Sequence, residues 1–83
     1  MIPNKKMKIL VVDDEESIQT LLKKVLTSQE RMILLAGEDR KAIGVLRQER
    51  PDIMILDLRM PDVSGLDVLK EIRAIDPSTT VIV

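Results

Sequence analysis

Four short apolar runs, Met7–Val12, Arg31–Ala36, Ile53–Leu56 and residues 80–83, alternate with three stretches whose apolar residues recur at helical spacing. Runs of this length, bounded by turn formers and rich in Ile, Leu and Val, read as strands buried on both faces. The stretches between them are long enough for a helix and too short for a separate unit. Strand and helix in strict alternation, β-α-β-α-β-α-β, implies a parallel sheet with right-handed crossovers and helices on both faces. No other feature of the chain narrows the fold as far.

Each helical stretch carries its own punctuation. In residues 15–28, Ile18, Leu21, Leu22, Val25 and Leu26 follow the spacing of one buried face, with Gln19, Thr20, Lys23 and Lys24 mainly on the other side. Its acids lie at the N-terminal end and its lysines near the C-terminal end, as the helix dipole favours. Asp39 is the expected N-cap of a helix over residues 40–49, with Ala42, Ile43 and Leu46 as its stripe. Pro51 disfavours helical geometry at Arg50. For the third helix, Ser64 and Asp67 match a capping box, and Val63 and Val68 fall where a hydrophobic staple would pack. Val68, Leu69 and Ile72 supply its stripe, and Asp76-Pro77 ends it.

With 83 residues the chain is one domain at most. Phe, Tyr and Trp are absent, so the core is aliphatic. Thirteen basic and fourteen acidic residues nearly cancel, which gives no signature of nucleic-acid contact. Without Cys there is no disulfide framework or thiol chemistry. Without His as well, any bound metal takes oxygen ligands, which favours hard cations such as Mg²⁺. The first residues lack the apolar segment of a signal peptide, and no run approaches a membrane span. A soluble, cytoplasmic domain without membrane contact is the expectation.

Acids sit at two strand ends: Asp13 and Asp14 after the first run, Asp57 after the third. In open parallel sheets, ligands bind outside the carboxyl ends of the strands. One such Asp alone reads equally as a turn residue or a helix cap. If the first and third strands are neighbours, however, all three carboxylates meet in one pocket, where mutual repulsion calls for a cation. Mg²⁺ would answer that and leave positions for a phosphate oxygen and waters.

The segments Ile9-Leu-Val-Val-Asp-Asp-Glu15 and Ile55-Leu-Asp-Leu-Arg-Met-Pro-Asp-Val-Ser-Gly65 resemble the receiver domain of two-component response regulators. That pattern is an acidic pair after the first strand, then an Asp with Met-Pro three and four residues on and Gly eight residues on. All these positions match, and the likeness runs from Lys8 to Val83. It implies a doubly wound, flavodoxin-like sheet of order 2-1-3-4-(5), with residues 1–83 as the N-terminal two-thirds of the domain. It also implies that Asp57 accepts a phosphoryl group from a sensor histidine kinase or phosphotransfer protein. Asp13, Asp14, Asp57 and the backbone carbonyl of Arg59 would hold Mg²⁺, with Mn²⁺ as a substitute. Met60, Pro61 and Gly65 would shape the loop. Such a module controls a downstream output and catalyses only its own phosphorylation and dephosphorylation.

Receivers usually continue through a fifth strand and two more helices, and those are missing from this chain. The Ser or Thr ending the fourth strand, the Lys after the fifth strand and the aromatic switch residue have no counterpart here. A piece of a longer response regulator is the favoured explanation, since the stop cuts through an apolar run. A naturally short, partly degenerate receiver acting only as a protein-interaction module is the alternative. As an isolated chain it is expected to self-associate through an exposed strand-four edge, or else to be only the ordered portion of a longer protein. A haloacid-dehalogenase-type phosphatase also uses a strand-end Asp, but it wants a second Asp where this chain has Arg59.

Overall fold

In the computed structural model, which describes residues 6–57 and 65–83, the chain forms β1 (Met7–Val12), α1 (Glu16–Leu26), β2 (Arg31–Ala36), α2 (Asp39–Glu49), β3 (Ile53–Leu56), α3 (Gly65–Ile75) and β4 (Thr80–Ile82). All strand pairs are parallel, in the order β2-β1-β3-β4. The expected order over the first four strands is the observed one.

Because side chains alternate across a strand, the sheet register decides which residues share a face. Leu10 lies opposite Met54 and Val12 opposite Leu56. These four pack with Ala42 and Leu46 of α2 and Val68 and Ile72 of α3 in the larger apolar cluster. On the other face, Ile9, Val11 and Ile33 are buried with Leu22 and Leu26 of α1 packed against them. Helices therefore cover both faces, two on one and one on the other.

The structure corrects three local expectations. The first helix spans Glu16–Leu26, one residue shorter at its start and two at its end than the apolar spacing suggested. Thr27 stops it, its Oγ1 donating to the Lys23 carbonyl at 2.5 Å. Nor is its apolar stripe one buried face, since Leu21 is 54% and Val25 63% exposed. At about 100° per residue, Leu22 and Leu26 lie on one side of Ile18 and Leu21 and Val25 on the other. An open sheet touches a single helix along a narrow stripe, and here Leu22 and Leu26 occupy it. In α2, Asp39 is the first helical residue and Glu38 the N-cap, without a side-chain cap bond. Asp39 thus meets the helix dipole from within the first turn.

Arg50 ends α2 in the left-handed region (φ 49°, ψ 63°), before the buried Pro51. At the end of α3, before Pro77, Asp76 is only 6% exposed. Its Oδ1 accepts from Ser78 N at 3.0 Å and Ser78 Oγ at 2.6 Å. Thr79 Oγ1 lies 2.9 Å from Asp76 Oδ2 and 3.1 Å from the Pro51 carbonyl, within hydrogen-bond reach of both. This knot ties the α3–β4 turn to the start of β3. The Ser78 and Thr79 hydrogen bonds hold the Asp76 carboxyl below its ordinary value of 3.8, with a smaller contribution from the Arg50 charge. A depressed folded-state value stabilises the fold above the ordinary range, and that contribution is lost as pH falls through the lowered value. Asp76→Asn should therefore lower the melting temperature at neutral pH, and the gap to the parent should narrow on acidification below 3.8. Melting curves of both proteins across that range provide the check; a gap that stays constant would contradict this role. The Ser64 cap and Val63 staple lie outside the described residues.

Candidate functional site

The strand ladders continue one residue past β1 and β3. Asp13 N donates to the Ala36 carbonyl at 3.1 Å, and Asp57 N donates to the Val12 carbonyl at 3.0 Å. Since Val12 and Leu56 are register partners, Asp13 and Asp57 leave neighbouring strands at the same level. The predicted adjacency of the two strands is thus what brings the acids together. Carboxylate oxygens of Asp13, Asp14 and Asp57 all lie within 4.8 Å of one another. Asp13 and Asp57 are half-buried and Asp14 is exposed.

Asp13 also does what a helix-start residue does. Its Oδ1 accepts from Glu15 N at 2.9 Å, just ahead of α1. The two readings of this Asp are compatible, because a carboxylate has a second oxygen. Asp13 and Asp57 line a cleft of about 320 Å³, together with Ile18, Leu22, Ile55 and Val83 among others.

The donor set suits a hard divalent cation. Three carboxylate oxygens are close together, and the chain has neither His nor Cys to offer softer ligands. Octahedral ligands about 2.1 Å from Mg²⁺ are about 3.0 Å apart when adjacent and about 4.2 Å when opposite. The observed spread of 4.8 Å needs only small side-chain adjustments to reach that range. Arg59, Met60 and Pro61 lie outside the described residues, and so does the surrounding of Gly65, although its backbone opens α3.

At the opposite end of the sheet, Lys8 Nζ pairs with Glu49 Oε1 at 3.1 Å and with the Glu49 carbonyl at 3.2 Å. Lys8 N donates to Asp52 Oδ2 at 2.9 Å. That lysine serves the entry of β1 and takes no part in the acidic pocket. A residue that the spacing pattern placed with the polar side does take part: Gln19 is half-buried, and its Nε2 donates to the Asp13 carbonyl at 2.5 Å. Helical periodicity gave no sign of it, because the contact is made to a loop backbone.

The fold is thus an open parallel α/β sheet with a carboxylate cluster at the carboxyl edge of its central strands, where such sheets bind their ligands. The model of the response regulator receiver domain matches residues 9–83, and the chain belongs to that family, a signalling domain. Sporulation initiation phosphotransferase F of Bacillus subtilis (strain 168) is 34% identical over 76 residues, covering 92% of this chain and 61% of that protein. The signal receiver domain of a putative LuxO repressor protein from Vibrio parahaemolyticus superposes with a TM-score of 0.82 at 34% identity, over 92% of this chain and 58% of the other. A structure of histidine kinase ThkA in complex with response regulator protein TrrA matches with a TM-score of 0.80 at 37% identity, over 90% of this chain and 65% of that one. Among such curated relatives the chain spans between 27% and 64% of their length. Among the described residues, no helix is long and apolar enough to cross a membrane.

Proposed function

We propose that this chain is the phosphoacceptor part of a two-component response regulator, with Asp57 as the acceptor. The observation that carries the reading is the convergence of Asp13, Asp14 and Asp57 within 4.8 Å at the ends of adjacent strands. A carboxylate oxygen of Asp57 attacks the phosphorus of a phosphohistidine on a sensor kinase. The O–P bond forms as the P–N bond breaks, and the electron pair leaves with the imidazole nitrogen. The β1–β3 ladder presets the position of Asp57, so less of the barrier is spent on orientation. Asp13 and Asp14, with Asp57 and the Arg59 carbonyl, would hold Mg²⁺. When bound, the ion supplies positive charge that offsets the carboxylates and the phosphoryl oxygens. The kinase partner is supported by the likeness to a chain from a kinase–regulator complex. The site belongs in the cytoplasm, where such kinases present their phosphohistidine, and the phosphoryl state controls a downstream output.

Incubation with acetyl phosphate, with and without Mg²⁺, tests the reading. Acid-labile, Mg²⁺-dependent labelling supports it, whereas no labelling in a regulator that contains the whole domain refutes it and favours a pure interaction module. On the metal side, Asp14→Ala should weaken Mg²⁺ binding by more than about tenfold, while Arg59→Ala should leave it nearly unchanged because only a carbonyl is used. An equal loss in both variants would overturn the ligand assignment.

A further inference from the structure

We infer that Gln19 is a positioning residue for the acidic loop, and that Gly37 is the space it needs; the inference rests on the phosphoacceptor reading. Asp13 is held at three points. Its N–H is bonded to the Ala36 carbonyl, its Oδ1 to Glu15 N, and its own carbonyl oxygen to Gln19 Nε2. The third contact matters most for Asp14. The Asp13 carbonyl and the Asp14 N–H belong to one rigid peptide plane, so holding the carbonyl fixes the plane's rotation. That rotation sets the direction in which the Asp14 side chain leaves the backbone. Asp14 is exposed, and no hydrogen bond to its carboxylate is among the described ones that could set it instead. The tether therefore selects where one of the three carboxylates points.

Gly37 supplies an independent observation. A Cβ at that position would lie 3.3 Å from Gln19 Nε2 and 4.0 Å from the Asp13 carbonyl oxygen. Among the described residues no glycine has positive φ, so backbone freedom is not what Gly37 provides. What it provides is room, at the end of β2, for the Gln19 amide to lie against the loop. Two residues from different crossovers thus converge on one carbonyl, and neither has another evident purpose there.

The test is a titration with MgCl₂ alone of a regulator that contains the whole domain, comparing the parent with Gln19→Met, Gly37→Ala and the double variant. Gln19→Met keeps length and packing but removes the donor. It should raise the Mg²⁺ dissociation constant about tenfold, as loss of contacts that orient metal ligands does. Gly37→Ala should raise it by less, through displacement of the amide. The double variant should be no weaker than Gln19→Met, because the amide donor whose displacement matters is already gone. A merely structural role would lower the melting temperature of the metal-free protein and leave the affinity of the folded molecules unchanged. That result, or a Gln19→Met affinity equal to the parent's, overturns the inference while the phosphoacceptor reading stands. Additive losses overturn the role of Gly37. A parent that binds no Mg²⁺ overturns the reading beneath both.

Discussion

Asp57→Asn should abolish phosphoryl acceptance. The amide fills the same volume and still reaches the cleft, so the fold and the β1–β3 ladder are kept. What it lacks is the anionic oxygen that, on the proposed reading, would form the bond to phosphorus. On the proposed assignment neither Asp13 nor Asp14 would stand in, since both would hold the cation, and Asp13 Oδ1 is bonded to Glu15 N. Removing the nucleophile of a group that acts as a unit costs at least about a thousandfold in rate, which places labelling below detection. Mass spectrometry of a regulator carrying the complete domain, treated with acetyl phosphate and Mg²⁺, gives the readout. Persistent acid-stable label in Asp57→Asn would move the acceptor to a hydroxyl such as that of Ser64.

A polypeptide of these 83 residues alone should not behave as a stable monomer. Among the described residues β4 pairs only with β3, so its outer edge presents free backbone groups beside Val81, Ile82 and Val83. Ile82 is 51% and Val83 68% exposed. Ile55 and Ile82 are register partners and share the α1 face, yet α1 packs over β1 and β2. That leaves an aliphatic strip on β3 and β4 without a covering helix among the described residues. A few hundred Å² of such surface, at roughly 25 cal/mol per Å², amounts to several kcal/mol. The whole stability of a small domain is about 5–15 kcal/mol. An uncovered strip and a free edge are a template for pairing with a second copy. Sedimentation and thermal unfolding over a wide range of concentration should show association and a concentration-dependent midpoint. Ile82→Lys, which places a charge on the edge, should shift the population toward monomer. A cooperative transition independent of concentration in the parent chain would contradict the prediction.

The strands were legible because their signal is local. Met7–Val12, Arg31–Ala36 and Ile53–Leu56 are short apolar runs closed by acids, glycine or proline, and the structure starts and stops them at those residues. The helix ends were less so. Asp39 and Glu38 are both acidic, and either satisfies a start signal. Which side of α1 is buried could not be read from spacing, because Leu21 and Leu22 fit the same stripe. Only the placement of the helix on the sheet chooses between them.

The candidate site divides in the same way. Residue type and position mark Asp13, Asp14 and Asp57 as strand-end acids, and the lack of His and Cys restricts them to hard cations. Their meeting depends on β1 and β3 being neighbours, a pairing between residues more than forty apart. No local pattern encodes it, and the expectation came from resemblance. Gln19 was out of reach altogether, since its partner is a backbone carbonyl and any residue offers one. The sequence by itself determined the alternation of elements, the aliphatic core and the chemical type of the site. The tertiary structure decided which strand ends meet, which face of α1 is covered and what holds the acidic loop. Periodicity is a property of neighbours along the chain, whereas these contacts belong to segments brought together only when the sheet forms.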